Sequence, residues 1–428
     1  MAAHCRYGAG PVTLLADLLS SVFERRLRRL PSAQTDDRPT KDVLDNLIGS
    51  HGEVRGMVLA QLLLDRFHKM DLDEKRTFFG HLAKDMDIDP TKVRTALSAY
   101  EKEPNKTSYR AYMSAAEPPR QELIRRLNQV PGGTDSLVRM RADLLPMARE
   151  DGALAALDLD FRHLFASWFN RGFLVLRPIN WQSPAQVLEK IIVYEAVHQI
   201  DSWDDLRRRL QPADRRCFAF FHPSMPDEPL IFVEVALTAG IASSIQEVLA
   251  DERDTLDAEQ ADTAIFYSIS NCQAGLAGVS FGNSLIKQVV EDLSRELPNL
   301  KTFSTLSPIP GLAAWMKENA IDPRLTDTDL AAVAAHYLLN AKSFSGQPLD
   351  PVARFHLGNG AQIHAVHPRG DLSENGLVQS HGALVNYLYD LTEITRNHEL
   401  FASEHLVAAS ARAKALAKTG TTLVEQGN

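Results

Sequence analysis

The stretch FYSISNCQAGLAGVSFGNSLIK, residues 266–287, decides how the second half of this chain folds. It begins with strand-forming residues up to Ser270, continues with glycines at positions 275, 278 and 282, and then takes on the apolar spacing of a helix near Leu285. A strand, a glycine-rich loop and a helix in this order direct backbone amides and the positive end of a helix dipole at one point. The pattern therefore predicts a cradle for an anion such as a phosphate.

Three kinds of phosphate loop compete for this segment. A P-loop is excluded because no Gly-Lys-Ser or Gly-Lys-Thr follows, and the dinucleotide fingerprint GxGxxG fails on spacing. The coenzyme A loop of acetyltransferases, Gln/Arg-x-x-Gly-x-Gly/Ala, fits better, although Ser280 stands where that pattern usually has a glycine. A strand–helix connection that binds nothing remains open on the loop alone.

The residues around this loop predict a mixed α/β region. Short apolar runs rich in strand formers occupy residues 172–177, 217–221, 230–237 and 264–270. Helical patterns lie between and after them, at residues 185–200 and 285–297. The proline-rich segment 222–229 is typical of a hairpin whose prolines occupy the turn.

The chain before about residue 165 shows helical spacing and no strand-like alternation. Frequent breaks by proline and glycine predict a bundle of six to eight short helices. Asp89 and Thr91 flank Pro90, which indicates a helix start with proline in its first turn. We interpret this part as a packing or oligomerisation module, and we expect helices again after about Leu391.

The overall composition excludes some classes of protein. The chain has 428 residues, 44% hydrophobic and 24% charged, with a net charge of −9, which argues against a sequence-independent nucleic-acid binder. The chain contains no run of eighteen apolar residues, so we expect no membrane span. The cysteines Cys5, Cys217 and Cys272 are widely spaced, so we expect a reducing, cytoplasmic location and neither disulfides nor a metal site.

Two further segments carry residues suited to chemistry. Ser307 precedes Pro308 in a stiff Ser-Pro-Ile-Pro-Gly turn, and no GxSxG elbow accompanies it. His356 is the residue of its segment that we expect to titrate near neutral pH, although a histidine beside apolar neighbours is often a core residue. Glu195 and His198 have the spacing of a metal or acid–base pair, but without a second pair we interpret them as a surface pattern.

Taken together, the segments resemble the malonyl-CoA decarboxylase family. The matching stretches follow the family's order and cover most of residues 172–391: HPSMPDEPLIFVEVALT at 222–238, residues 264–290, TFSTLSPIPGL at 302–312, FHLGNGA at 355–361 and HGALVNYLYDL at 381–391. The segment between Pro-Ile-Pro-Gly and Phe-His-Leu is short beside the animal enzymes, which favours a bacterial-type member.

The resemblance implies a two-domain α+β fold. Residues 1–165 would form an all-α helical bundle used for homo-oligomerisation, as a tetramer or dimer, and residues 166–428 a mixed α/β acetyltransferase (GNAT)-like catalytic domain that binds an acyl-CoA. The implied activity is that of a carboxy-lyase, conversion of malonyl-CoA to acetyl-CoA and CO2 through a thioester enolate, without metal or organic cofactor and without a nucleic-acid or membrane partner. Two alternatives stay open: an acyl-CoA N-acyltransferase, and a non-catalytic malonyl-CoA sensor.

The resemblance also assigns roles to individual residues. Ser307, His356 and Tyr389 are the implied catalytic residues, with Asn359 as a further hydrogen-bond donor. We expect Ser307 to hold the malonyl group and His356 to supply the proton or polarise the oxygen; resemblance alone favours Ser307 over Ser304. The implied coenzyme A-binding residues are Gln273, Ala277, Gly278, Val279, Ser280, Phe281, Gly282 and Asn283.

Overall fold

The computed structural model describes residues 36–49, 52–279 and 285–427. The described residues form two compact units. One, the helical unit, comprises the described residues up to Leu174 together with residues 222–226 and 273–279. The other, the sheet unit, comprises the rest of the described chain.

The described part of the helical unit contains eight α-helices. They are α1 Thr40–Gly49, α2 Glu53–Lys69, α3 Leu72–Lys84, α4 Pro90–Lys102, α5 Lys106–Ala116, α6 Pro119–Leu127, α7 Gly133–Ala148 and α8 Gly152–Trp168. Side-chain caps start several of them, since an acceptor oxygen satisfies the free amides of a first turn. Asp89 accepts hydrogen bonds from the amides of Thr91 and Lys92 with Pro90 at the first helical position, which confirms the predicted helix start.

The sheet unit contains eight strands in one mixed sheet. The order is β1-β2-β3-β4-β5-β8, and both β6 and β7 pair with β8. The strands are β1 Val175–Ile179, β2 Arg215–His222, β3 Met225–Thr238, β4 Thr263–Asn271, β5 Thr302–Thr305, β6 Ser307–Pro308, β7 Gln362–His367 and β8 Leu384–Leu388.

Helices follow and separate these strands. They are α9 Ala185–Tyr194, α10 Trp203–Leu210, α11 Ile245–Val248, α12 Leu285–Glu296, α13 Leu312–Glu318, α14 Asp327–Asn340, α15 Pro351–Gly358, α16 Glu374–Ser380, α17 Ile394–Glu404 and α18 Ala411–Gly427. No helix among the described residues is long and apolar enough to cross a membrane.

β4 occupies the centre of the sheet and changes its pairing along its length. It is antiparallel to β3, with an irregularity opposite Glu234 and Val235 that leaves Tyr267 as the extra residue. Its first four residues pair in parallel with β5, from Thr263 opposite Thr302 to Phe266 opposite Thr305. Beyond Phe266 the described β4 residues have a partner strand on the β3 side alone, so the sheet opens between β4 and β5.

Buried apolar residues cover the sheet. One cluster joins α9 and α10 to β2 and β3 and includes Leu188, Leu206, Phe221 and Phe232. A second includes Ile265 and Tyr267 on β4 and Leu306 between β5 and β6. Strands that are almost wholly buried, such as β2 and β3, explain the near-continuous apolar runs in their sequences.

The predicted two-part fold, helices first and a mixed α/β region second, is confirmed. Two details of the prediction are wrong. Pro226 and Pro229 lie in β3 and not in the hairpin turn. The helix predicted over residues 185–200 ends at Tyr194, because the Glu195 carboxylate accepts hydrogen bonds from the amides of Val197 and His198 and turns the chain there.

Candidate active site

Ser307 lies on a short strand at the edge of the central sheet. β6 pairs with β8, with Ser307 opposite Val385, and the serine is 5% exposed. The proline that follows restricts Ser307 to the extended backbone that a strand requires. Its hydroxyl donates to Thr305 Oγ1 at 2.8 Å.

His356 reaches Ser307 from α15. Its Nε2 atom is 3.2 Å from Ser307 Oγ, and its Nδ1 atom is 2.8 Å from the hydroxyl of Tyr389. The three residues come from separate segments, and all are buried. The structure thus brings the predicted serine, histidine and tyrosine into one hydrogen-bonded chain.

Burial keeps His356 and Tyr389 of this hydrogen-bonded chain uncharged. It lowers the pKa of His356 to about 3, and no opposite charge offsets that effect. The expectation that His356 titrates near neutral pH is therefore wrong for the free protein, in which the imidazole is neutral. Burial likewise raises the pKa of the Tyr389 hydroxyl well above its ordinary value, so this group keeps its proton.

The hydrogen bonds favour one tautomer of His356. Since Ser307 donates its proton to Thr305, Ser307 Oγ is an acceptor towards the imidazole. Nε2 then carries the proton, and Nδ1 accepts from the Tyr389 hydroxyl. The chain runs in one direction, from Tyr389 through His356 and Ser307 to Thr305.

The side chains of Ser304, the alternative serine, and of Asn359, a predicted donor, are separate from this hydrogen-bonded chain. Ser304 is buried, and its hydroxyl donates to the carbonyl oxygens of Thr305 and Tyr387, so Ser307 is the serine that faces His356. Asn359 is the C-cap of α15, and its side-chain amide donates to the carbonyl of Phe355 at 2.7 Å. The Asn359 backbone amide donates to the carbonyl oxygen of His356 at 3.1 Å, but among the described residues no hydrogen bond joins the Asn359 side chain to Ser307, His356 or Tyr389.

Part of the predicted coenzyme A loop is described and belongs to the helical unit. Gln273 precedes a 3-10 turn at Ala274–Leu276, which Ala277, Gly278 and Val279 follow. The remaining predicted residues, Ser280, Phe281, Gly282 and Asn283, lie outside the described residues.

The loop uses most of its amides internally. The amides of Leu276, Ala277 and Val279 donate to carbonyls of the loop itself. Gly278, with φ of +73°, has an amide that makes no hydrogen bond to a described residue. Of residues 276–279, it is the one whose amide has no hydrogen-bond partner among the described residues.

Two arginines hold the loop from the helices of the same unit. Buried Arg141 donates to the carbonyls of Gly275 and Ala277 at 2.7 and 2.9 Å and pairs with Asp158. Exposed Arg162 donates to the carbonyl of Gly278 at 3.3 Å. These arginines were not predicted from the sequence, because they lie more than 110 residues from the loop and leave no local signal.

The interpretation of Glu195 and His198 as a surface pattern is wrong. His198 is buried, and Glu195 accepts hydrogen bonds from Ser268 at 2.7 and 2.9 Å. Within the described ranges, no group of three or more histidine, cysteine, aspartate or glutamate side chains is placed to hold a metal ion.

Tyr387 and Thr305 also belong to the site, although the sequence analysis did not single them out. The Tyr387 ring stacks on the His356 imidazole, with 4.5 Å between centroids and 22° between planes. Thr305 Oγ1 accepts from both the Ser307 hydroxyl and the Tyr387 amide. The alternation of Tyr387 and Tyr389 is a signal that could have found the first of them, since residues two apart share a face of a strand.

Comparison with protein families gives matches to two domain descriptions. Residues 172–331 and 318–426 match the malonyl-CoA decarboxylase C-terminal domain. Residues 87–169 match the malonyl-CoA decarboxylase N-terminal domain. The two matches together extend over most of the chain.

Individual proteins agree with the domain matches. The chain is 37% identical to the mitochondrial malonyl-CoA decarboxylase of Anser anser anser over 346 residues, 67% of each chain. The crystal structure of malonyl-CoA decarboxylase from Rhodopseudomonas palustris is 47% identical, with a TM-score of 0.83 over 88% of this chain and 98% of that one. The structure from Cupriavidus metallidurans is 35% identical, with a TM-score of 0.71 and the same coverage.

Proposed function

The chain belongs to the malonyl-CoA decarboxylase family, and we propose that it is a carboxy-lyase that converts malonyl-CoA to acetyl-CoA and CO2. The observation that carries the proposal is the buried hydrogen-bonded chain from Tyr389 through His356 to Ser307. An uncharged set of donors fits a reaction whose negative charge moves from a carboxylate to an enolate oxygen.

The reaction requires the protein to orient the malonyl group and to donate hydrogen bonds to the enolate oxygen. When the bond between the α-carbon and the carboxylate breaks, its electron pair passes into the thioester carbonyl and forms an enolate. The substrate is therefore its own electron sink, and this route uses no metal or organic cofactor. Fixed donors at the developing oxyanion supply about 3–4 kcal/mol for one good hydrogen bond, and correct orientation of the carboxylate supplies more.

Ser307 and His356 divide this work in our proposal. Ser307 holds the malonyl carboxylate or the thioester carbonyl by hydrogen bonding. A bound malonyl carboxylate raises the pKa of the neighbouring imidazole, because a negative charge favours the protonated form. His356 then takes up the proton that the reaction consumes and delivers it to the α-carbon after CO2 leaves, while Tyr389 orients the ring. Asn359 remains a proposed supporting donor.

The coenzyme A part of the substrate is assigned to residues 277–283, with Gln273 at the start of the loop. The Gly278 amide has no partner among the described residues, and the Arg162 guanidinium beside the Gly278 carbonyl adds positive charge. Phosphate groups bind at sites of this kind, where backbone amides and a positive charge converge.

We further propose that residues 1–165 form an oligomerisation domain, in a dimer or tetramer, and that residues 166–428 carry the catalysis. α4 and α5 pack against each other, and neither helix has a buried residue in the described chain. Leu97, Tyr109 and Met113 are among their exposed apolar side chains. A second copy that covers this hairpin would bury that surface.

A cytoplasmic location is also proposed, with small-molecule acyl-CoA as the partner and no nucleic acid or membrane. Cys217 and Cys272 are buried free thiols, which persist in a reducing compartment. The net charge of −9 does not favour nucleic-acid binding.

Incubation of the purified protein with malonyl-CoA, without added metal or cofactor, tests the proposed activity by mass spectrometry of the thioesters. We expect acetyl-CoA with matching CO2 from the wild type, and loss of turnover in Ser307→Ala and His356→Ala. Ser304→Ala is the matched control, because Ser304 is a buried serine of the same segment that does not contact His356. Intact malonyl-CoA would contradict the proposal, and a screen of acyl acceptors would then separate a transferase from a sensor.

The same variants test the role of His356. His356→Ala should lower kcat far more than it weakens binding of coenzyme A, measured by calorimetry. Equal losses in kcat and in affinity would contradict the assigned role.

A further inference from the structure

Asp350 is a buried acid next to the proposed active site to which nothing above assigns a role. It directly precedes Pro351, the first residue of α15, and its side chain is fully buried. Its Oδ1 atom accepts a hydrogen bond from the Ala353 amide at 2.8 Å, and its carbonyl oxygen accepts from the Arg354 amide at 3.1 Å. Asp350 is thus the N-cap of the helix that carries His356.

α15 depends on this cap more than a longer helix would. It has eight residues, and an isolated helix of that length is not stable in water. An aspartate at the N-cap stabilises the first turn of a helix relative to alanine, because its side-chain oxygen accepts from a free amide. Since His356 is the sixth residue of the helix, a first turn that frays also moves the imidazole away from Ser307 and Tyr389.

The other oxygen of Asp350 faces the turn that follows Ser307. Oδ2 lies 3.8 Å from the position that a Cβ atom would take at Gly311, and it makes no hydrogen bond to a described residue. Burial raises the pKa of Asp350 to about 6, although the amides of Ala353, Gly311 and Val352 act in the opposite direction. The carboxyl group therefore caps α15 through Oδ1 and lies next to Gly311 on the turn after Ser307 through Oδ2.

Gly311 and Tyr337 complete this junction. A Cβ atom at Gly311 would lie 2.2 Å from the Tyr337 hydroxyl, so only glycine fits between that hydroxyl and the turn. Arg354 secures the segment before Asp350 by donating to the carbonyls of Pro348 and Leu349 at 2.8 and 2.7 Å.

We infer that Asp350 is a positioning residue: its side chain joins the start of α15 to the Ser307–Gly311 turn and so fixes the distance between Ser307 and His356. The inference rests on the proposed function for its activity readout. It requires an oxygen acceptor at position 350 and not a negative charge, because the hydrogen bond that the structure contains is the cap to Ala353.

The test compares Asp350→Ala with Asp350→Asn. Asparagine is as good an N-cap as aspartate, and its amide nitrogen would replace an oxygen that makes no hydrogen bond. We expect Asp350→Ala to lower kcat by about tenfold or more with KM within about threefold, because misplacement of a reacting group acts on the transition state. We expect Asp350→Asn to stay within about threefold of the wild-type kcat.

Asp89→Ala is the matched control. Asp89 is also an aspartate N-cap that directly precedes a proline, but it begins α4 in the helical unit. Hydrogen exchange measured by mass spectrometry should show faster exchange of the amides of residues 354–359 in Asp350→Ala, recovery in Asp350→Asn, and no change there in Asp89→Ala. This readout does not depend on turnover, so it still judges the role of Asp350 if the wild type fails to decarboxylate malonyl-CoA.

A second pair of variants covers the case in which Asp350→Ala does not fold. Gly311→Ala should lower kcat with little change in KM, because the new methyl group displaces the turn away from Tyr337. Adding Tyr337→Phe removes the hydroxyl and should recover at least part of kcat. The inference is overturned if Asp350→Ala keeps the wild-type kcat, if Asp350→Asn loses as much as Asp350→Ala, or if Gly311→Ala has no effect on kcat.

Discussion

At the residue scale, the hydrogen bonds from Tyr389 to Thr305 all run in one direction, from donor to acceptor. Tyr389 donates to His356, His356 donates to Ser307, and Ser307 donates to Thr305, so each group has one assigned proton position. All of these side chains are buried, and a buried polar group without a partner is costly. The arrangement therefore holds the imidazole in one tautomer before any substrate binds.

Tyr389→Phe tests whether the tyrosine hydroxyl matters to this order. Its loss leaves Nδ1 of His356 without its donor, and we expect kcat to fall by about tenfold or more. Tyr387→Phe is the matched control, since the Tyr387 ring stacks on the same imidazole but its hydroxyl has no hydrogen-bond partner in the described structure. Steady-state kinetics should show Tyr387→Phe within about twofold of the wild type. Similar losses in both variants would exclude a specific role for the Tyr389 hydroxyl.

The lowered pKa of His356 gives a prediction for the free protein. A histidine with a pKa of about 3 stays neutral at every pH above about 4. In protein labelled with ¹⁵N-histidine, the His356 signals, identified by their absence in His356→Gln, should not move between about pH 5.5 and 8. A non-reactive malonyl-CoA analogue should bring their titration into that range. A midpoint near 6.5 in the free protein would contradict the prediction.

The sequence predicted three members of this hydrogen-bonded chain, but neither Thr305 nor the electrostatics. Ser307 and His356 lie in distinctive segments, and Tyr389 was proposed from the resemblance to the family. The lowered pKa of His356 could not be predicted, because it arises from burial by Tyr387 and other residues distant in sequence. Asp350 was missed as well, although Asp350-Pro351 repeats the Asp89-Pro90 helix-start signal that was recognised earlier in the chain.

At the scale of elements, the glycine-rich loop contains a residue in the left-handed conformation that favours glycine. Gly278 has φ of +73°, and Gly240 has φ of +84° with open space around it. Alanine at either position costs about 1 kcal/mol of backbone strain. We expect Gly278→Ala to raise KM for malonyl-CoA severalfold and Gly240→Ala to leave it unchanged. If the two variants have equal KM values, the backbone conformation at Gly278 does not contribute to substrate binding.

The hairpin of α4 and α5 gives the prediction about assembly. A glutamate at Leu97 replaces an apolar side chain that is 38% exposed in one chain, so it should not unfold that chain. In an interface it would be buried without a partner, and we expect Leu97→Glu to reduce the molar mass measured by light scattering. Ser98→Glu adds the same charge to the next, also exposed residue and serves as the control. An unchanged mass for Leu97→Glu would place the interface elsewhere.

Helix starts could be predicted better than helix ends. A cap such as Asp89 depends on a few adjacent residues, so the start of α4 could be predicted from the sequence. The end of α9 at Tyr194 depends on Glu195, whose carboxylate takes amides that a helix would use, and Ser268 on β4 holds that carboxylate in place. Apolar spacing cannot reveal such a competition, because the partner is distant in sequence.

At the scale of the molecule, the two compact units do not follow one boundary in the chain. Residues 222–226 and 273–279 belong to the helical unit, although both lie far beyond its last helix in sequence. Arg141 explains part of this arrangement, since it binds the carbonyls of Gly275 and Ala277. The sequence does not reveal that these two segments belong to the helical unit, because their contacts are with residues distant in sequence.

Buried histidines should make the sheet unit sensitive to acid. Burial lowers the pKa of His198 to about 4, against about 6.5 in an unfolded chain. Between these two pKa values the unfolded chain binds a proton at His198 and the folded chain does not. The contribution of His198 to the unfolding free energy is therefore fully present above about pH 6.5 and is lost as the pH falls towards 4. From pH 7 to 5, His198 alone should cost about 2 kcal/mol of unfolding free energy.

His198→Asn removes this titration and isolates its effect. Asp350, whose pKa is raised to about 6, acts in the opposite direction between pH 6 and 4, but its contribution is the same in the wild type and in the variant. Urea unfolding at pH 7 and 5 should therefore show a loss of free energy about 2 kcal/mol smaller in His198→Asn than in the wild type. His163→Asn, at an exposed position of the helical unit, should lose as much as the wild type. Equal losses in all three proteins would mean that His198 does not stay neutral inside the fold as the pH falls.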